Sequence, residues 1–340
     1  MGRHQQVAIA IADSSSVGQA RRLSALMAER AGLRENDRGR VTLIVTELAT
    51  NLLAHARGGE ILVRILCGSA NPGVEVIALD RGPGIADLNR CMSDGYSSRG
   101  GRGCGLGAVR RLSTDFSVFS IQPSGTAIAS RVRAVNAPAH AEPDYSVICL
   151  PAPGETQCGD AWELRLEQNK LRLMVADGLG HGPLAATAAA RAVQTFDEGG
   201  FDSPTSYLEA AHGALRSSRG AAVAMAEVAL GERRLRYAGV GNIAASVVDR
   251  DGRSRGLLSH NGIVGLQVPN LKQLEYVWDD GDLLVMHSDG LNSRWKFDAY
   301  PGLARAGTAI IAGVLYRDSK RQRDDATVLV ARLEASIGHG

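Results

Sequence analysis

Residues 41–56 read Val-Thr-Leu-Ile-Val-Thr-Glu-Leu-Ala-Thr-Asn-Leu-Leu-Ala-His-Ala. Apolar side chains recur at helical spacing, which offers Leu43, Ile44, Leu48 and Leu52 for burial. Glu47, Asn51 and His55 recur every fourth residue and so share one face of that helix. A carboxylate one turn from a carboxamide suits a general base beside a metal ligand. Asn gives Mg²⁺ a neutral oxygen without adding charge near a polyphosphate. A solvated Glu/Asn stripe fits the same spacing, so the flanking sequence has to decide.

Outward from the helix, a strand over 74–79 ends in Asp80-Arg81-Gly82-Pro83-Gly84-Ile85. A carboxylate at a strand end can accept a purine amino group, and glycines let the backbone approach a flat base. A Pro-Gly turn capped by Asp80 reads equally well in isolation. Residues 97–107, Ser-Ser-Arg-Gly-Gly-Arg-Gly-Cys-Gly-Leu-Gly, then open a helix. Free N–H groups at its start favour phosphate, and Arg99 or Arg102 adds charge. A mobile loop is the other reading. Ser124-Gly125-Thr126 precedes the last strand of this half, where a hydroxyl reaches a phosphate or closes a hairpin.

In this order the four pieces resemble the Bergerat-type (GHKL) ATP-binding domain, over about residues 5–133. ELATNLLAHA, DRGPGI and DGYSSRGGRGCGLGAVRRLSTDF are similar to the RsbT-like serine kinases of bacterial sigma-factor partner switching. The resemblance implies Glu47 as the base for a substrate serine, Asn51 as the Mg²⁺ ligand and Asp80 as the adenine reader. It places Gly82, Gly84, Arg102, Gly103, Gly105, Gly107 and Thr126 around ATP.

A second constellation consists of aspartates at strand ends beside small residues. Cys158-Gly159-Asp160 begins an extended segment, and Asp177-Gly178-Leu179-Gly180-His181-Gly182 turns a strand into a helix. Ser288-Asp289-Gly290 ends another strand, and Asp324-Asp325 opens the last. Hydrolysis of a phosphate ester by two dications needs hard oxygen ligands converging from separate strands. Any single Asp-Gly is also an ordinary turn. As an ordered set, GD…ADGLGHG…AGVGN…SDGL…DDATVLV resembles the SpoIIE/RsbX branch of the PPM serine/threonine phosphatases, over about residues 144–334. The resemblance implies a Mg²⁺ or Mn²⁺ pair on Asp160, Asp177, the Gly178 carbonyl, Asp289 and Asp324. Asp325 is passed over on the argument that strand neighbours face opposite ways. His181 reads as structural, Gly239-Val240-Gly241-Asn242 as a strand-pairing turn, and His212, His260 and His287 as structural or exposed. Cys158 stands where that family usually has glycine.

The chain has 340 residues, 44% hydrophobic, enough for two ordinary cores. Lys+Arg total 38 against Asp+Glu 36, so no charge excess points to nucleic acid or an anionic membrane surface. No apolar run is long enough to span a membrane. The five cysteines include no CxxC pair and read as reduced thiols, which fits a cytoplasmic chain. Pro138 and Pro143 mark a linker over 135–144, between a kinase-like domain (1–134) and a phosphatase-like domain (145–340). The fold expected is a two-domain α/β chain: a GHKL α/β sandwich, then a PPM-type β-sandwich flanked by helices. Helical patterns are expected near 183–197, 203–218 and 300–315.

By resemblance the partners are STAS-type anti-sigma antagonists or stressosome proteins, phosphorylated by one half and dephosphorylated by the other. In an alternative, the ATP-binding half only regulates an active phosphatase or binds a sigma factor or other partner.

Overall fold

The computed structural model describes residues 5–66, 72–92, 105–134, 143–167, 169–268 and 270–334. The chain divides into two compact units, Met1–Glu142 and Pro143–Gly338. Most of the expected linker, 135–142, lies outside the described residues.

In the first unit the elements run β1 (Gln6–Ile11), α1 (Ser14–Arg30), α2 (Glu35–Ala56), β2 (Gly59–Leu66), β3 (Gly73–Leu79), α3 (Leu88–Cys91), α4 (Gly105–Leu112), β4 (Asp115–Ile121) and β5 (Gly125–Arg133). The strands form one antiparallel sheet in the order β1-β2-β3-β5-β4. Alternate residues of β2 and β3, among them Ile61, Val63, Val74 and Val76, join α1 and α2 in one core. Helix α2 starts at Glu35, ahead of the apolar pattern, with Glu35 and Asp37 complementing the N-terminal dipole. Its buried stripe is Val41, Ile44, Val45, Leu48, Ala49 and Leu52. Leu43 is 59% exposed, against the sequence expectation. At 100° per residue it lies off the arc centred on Ile44 and Leu48.

The second unit carries β6 (Tyr145–Leu150), β7 (Asp160–Glu167), β8 (Lys170–Gly178), α5 (Pro183–Glu198), α6 (Pro204–Leu215), β9 (Ala221–Ala229), β10 (Arg234–Val240), β11 (Ala244–Val248), β12 (Ser254–Leu257), β13 (Leu274–Val277), β14 (Leu283–His287), α7 (Thr308–Ser319) and β15 (Ala326–Arg332). Two antiparallel sheets, β13-β10-β9-β8-β7 and β12-β11-β14-β15-β6, face each other. Leu173, Val175, Ala226, Tyr237, Met286 and Leu329 lie in the core they share. Helices α5 and α6 cover the outer face of the first sheet through Ala189, Phe196, Tyr207 and Leu208, and α7 packs on β15 and β6 of the second.

Two expectations fail here. The last helix runs over Thr308–Ser319, because Gly302 (φ +86°) and the N-cap Gly307 hold 302–307 in a turn ahead of it. Gly239–Asn242 is no hairpin: β10 and β11 belong to different sheets, so this turn carries the chain from one layer to the other. No helix among the described residues is long and apolar enough to cross a membrane.

Candidate functional site

A cavity of about 460 Å³ opens in the first unit between α2, the end of β3 and the start of α4. That volume lies within the roughly 300–1,000 Å³ usual for ligand pockets. Glu47, Asn51 and His55 line it along one face of α2, and Asp80, Gly84, Gly105 and Thr126 line it from the sheet and its loops. Among the described residues the Glu47 and Asn51 side chains have no hydrogen-bond partner, so both present free polar groups to the cavity.

Asp80 is fixed in place by Oδ1, which accepts the Gly82 N–H at 2.7 Å and the Thr126 N–H at 3.2 Å. The Thr126 hydroxyl lies 3.0 Å from Ser120 Oγ, which in turn accepts the Ile85 N–H at 2.8 Å. Ser120 thus ties the loop after β3 to the hairpin β4–β5. Gly82 and Gly107 are not in the lining: Gly82 packs on Ala56, and Gly107 is buried in α4. Arg102 and Gly103 lie outside the described residues.

Gly125 is in the left-handed region (φ +94°), and a Cβ there would run into the Asp80 carbonyl and approach Arg81 Cα at 2.9 Å. Gly125→Ala is expected to destabilise the first unit by about 1–3 kcal/mol. It should also weaken nucleotide binding, since Asp80 has to move. Gly39, inside α2 with nothing within 4 Å of its Cβ position, should tolerate alanine or gain from it. Chemical unfolding and calorimetry on the two variants check this; equal behaviour would refute the Asp80 contact as the cause.

In the second unit the acidic residues gather at one end of the two facing sheets. Asp160 opens β7 and Asp177 is the last residue but one of β8, and the two are direct cross-strand partners. Like charges placed opposite one another on a sheet are destabilising. Asp289 follows β14, and Asp324 and Asp325 precede β15, its neighbour in the other sheet. Burial, and then Asp160, Asp289, Asp324 and Asp325, push the Asp177 carboxyl up to about 9. Burial pushes Asp160 up to about 7, partly offset by a hydrogen bond from Ser288. Burial and then Asp289 likewise raise Asp324.

Two oxygens in this cluster, Asp160 Oδ1 and Asp325 Oδ2, are buried with no hydrogen-bond partner. Buried unpaired acceptors are rare and costly, and hard dications satisfy oxygens of this kind. The donor set therefore fits Mg²⁺ or Mn²⁺, although among the described residues no three acidic, His or Cys side chains form a ready metal cluster.

The glycines allow the close packing. A Cβ on Gly178 would run into the Ala185 carbonyl at the start of α5, and one on Gly290 into the Asp325 carbonyl. His181 Nδ1, in the turn between β8 and α5, lies 2.7 Å from Glu155 Oε1 in the loop between β6 and β7.

Three residues of this site escape the sequence reading. Ser288, fully buried, donates to Asp160 Oδ2 at 2.6 Å and accepts the Thr327 N–H at 3.1 Å. Asn242 donates to Asp289 Oδ2 at 2.6 Å from the inter-sheet turn. Asp325 Oδ1 accepts the Ala152 N–H at 2.8 Å. The alternation argument against Asp325 does not hold, because 324–325 precede the strand and both carboxylates act on Asp160 and Asp177. Of the two readings left open for His287, structural or exposed, the structure takes the first: it is buried, Nδ1 donates to the Ser288 carbonyl at 2.8 Å, and Nε2 receives the Trp295 indole N–H at 3.3 Å.

Ser288→Ala would leave Asp160 Oδ2 and the Thr327 N–H unpaired. It is expected to lower the unfolding free energy of the second unit by about 1–3 kcal/mol. Urea denaturation measures it, and an unchanged midpoint would show that Ser288 does not hold Asp160.

Residues 10–131 match the family described as Histidine kinase-like ATPase domain, and 167–334 match Stage II sporulation protein E (SpoIIE). The serine/threonine-protein kinase RsbT of Bacillus subtilis (strain 168) is 35% identical over 125 residues, 37% of this chain and 94% of that protein. The chain belongs to the RsbT family. It continues into a SpoIIE-type domain, so one chain joins both kinds of unit. The phosphoserine phosphatase RsbX of the same organism is 27% identical over 143 residues, 42% of this chain and 72% of that protein. A chain solved in a study of the bacterial stressosome superposes with TM-score 0.52 at 29% identity, over 56% of this chain and all of that one. The RsbT-type unit contains the cavity, and the SpoIIE-type unit contains the acidic cluster.

Proposed function

We propose that this chain is a partner-switching regulator that writes and erases phosphate on serine or threonine of a STAS-type anti-sigma antagonist or stressosome protein. One observation carries the reading: the chain holds both an ATP-sized cavity with a free carboxylate and carboxamide, and an acidic centre with two unpaired buried oxygens.

In the first unit Asp80, fixed by the Gly82 and Thr126 amides, reads the base. Asn51 supplies a neutral oxygen to the Mg²⁺ of the bound nucleotide, and Glu47, one helical turn away, accepts the proton of the attacking hydroxyl. In the second unit Asp160, Asp177, the Gly178 carbonyl, Asp289 and Asp324 hold two Mg²⁺ or Mn²⁺ ions, with Asp325 close behind. When bound, those ions supply charge neutralisation and Lewis acidity. Ser288 and Asn242 orient two of the ligands, and Gly178 and Gly290 let α5 and the last strand close on the site. The domain division drawn at 134/145 belongs to this proposal.

Labelled ATP, the protein and a STAS-domain partner, with label followed onto serine and then off it on adding Mn²⁺, form the test. Label that never reaches the partner would leave the ATP unit as a binding module. Label that stays on would remove the phosphatase.

A further inference from the structure

Cys149 and Cys158 have their sulfurs 3.6 Å apart, as partly exposed cysteines outside any disulfide. Cys149 lies on β6, an edge strand of one sheet, and its thiol contacts the Asp160 carbonyl at 3.7 Å. Cys158 comes two residues before Asp160, which opens β7, an edge strand of the other sheet. The pair therefore bridges the two layers beside the acidic centre.

The segment between the cysteines touches that centre twice. The Ala152 N–H holds Asp325 Oδ1 at 2.8 Å, and Glu155 holds His181 at 2.7 Å. There is little slack at the other end: the Cβ position of Gly159 lies 2.6 Å from Asp325 Oδ2 and 2.8 Å from Ala185 Cβ.

We propose that Cys149 and Cys158 are a modification site, closing to a reversible disulfide on exposure to a peroxide and thereby disabling the adjacent metal centre. The chemistry balances with hydrogen peroxide as oxidant. One thiol attacks the peroxide, the O–O bond breaks, and a sulfenic acid and water form. The second thiol then displaces water from the sulfenic sulfur, making the S–S bond. Two thiols and one peroxide give one disulfide and two waters. The sulfurs must close from 3.6 Å to about 2.05 Å, a movement made directly beside Ala152, Gly159 and Asp160, all of which touch or belong to the acidic centre. In a reducing compartment such a contact pair acts as a transient sensor, not as a structural brace.

The consequence for activity rests on the phosphatase reading; the bond itself does not. The full chain is treated with hydrogen peroxide, digested and mapped, while Mn²⁺-dependent hydrolysis of p-nitrophenyl phosphate and the Mn²⁺-induced thermal shift are followed. A peptide pair cross-linked through 149 and 158 is expected. Hydrolysis should fall at least tenfold, the Mn²⁺ shift should shrink, and dithiothreitol should reverse both. Cys149→Ser and Cys158→Ser should each keep their own reduced activity through the treatment.

Failure to cross-link, a cross-link that changes neither readout, or equal inactivation of Cys149→Ser would overturn the proposal. If the reduced parent hydrolyses nothing, the phosphatase reading falls, and the peptide map with the Mn²⁺ shift still decides this one.

Discussion

Asp177→Asn is expected to cut Mn²⁺-dependent phosphoester hydrolysis by at least about 100-fold, since removing even an outer partner of a metal ligand typically costs about 10–100-fold. The same variant should make the metal-free protein more stable. Asp177 is half-buried near the end of β8, directly across from Asp160; desolvation first, and then the charges of Asp160, Asp289, Asp324 and Asp325, raise its carboxyl to about 9. A carboxyl raised in the folded state stabilises the fold while protonated. That stability is fully present below the ordinary aspartate range, near pH 4, and is lost as pH climbs through 9.

Metal-free melts of the parent should therefore fall from pH 5 to pH 9, and those of Asp177→Asn should fall much less. The two proteins should differ little at pH 5, where the parent carboxyl already carries its proton, and most at pH 9. Mn²⁺ should raise the parent midpoint more than that of the variant, because a ligand that binds only the folded state stabilises it in proportion to its affinity. A stability difference equal at both pH values would remove the electrostatic account. An undiminished Mn²⁺ shift would remove Asp177 from the ligand set.

Much of this centre was legible because strand ends announce themselves. Asp160, Asp177, Asp289 and Asp324 each sit where an apolar run meets glycine or a polar residue, and all four ends meet at one edge of the sandwich. Ser288 gave no signal: a serine inside His-Ser-Asp-Gly has no periodicity, and its value comes from Asp160, 128 residues away. Asn242 falls in what the sequence presents as a strand-pairing turn, because sequence shows a turn but not that the strands on either side enter different sheets. For Asp325, the alternation of strand interiors does not apply one residue before a strand begins. Leu43 shows the same limit on α2: the spacing identified a helix, but only the sheet and α1 fixed which arc would be covered. The short edge strands β12 and β13 are four residues each and mostly exposed, too short to show a period.

Glu47→Gln is expected to leave nucleotide affinity unchanged and to lower phosphotransfer to a STAS-domain partner by about 10²–10⁴-fold, the range a positioned general base contributes. Gln nearly preserves the shape and cannot take the proton. Nothing in the protein has to rearrange when the charge goes, because among the described residues the Glu47 side chain has no partner and faces the cavity. Asn51→Ala separates the two roles. It removes the neutral oxygen one turn further along α2, so Mg²⁺-dependent ATP affinity should fall while the fold holds, Asn51 being likewise unpartnered and only partly buried. Both variants should hydrolyse p-nitrophenyl phosphate like the parent, since the acidic centre belongs to the other unit. Titration calorimetry with Mg²⁺-ATP gives the affinities, and label transfer under saturating nucleotide gives the rates. Glu47→Gln that binds ATP weakly would make Glu47 a nucleotide ligand. Glu47→Gln that transfers phosphate at the parental rate would leave alignment of the serine and the nucleotide, without proton abstraction, as the source of catalysis.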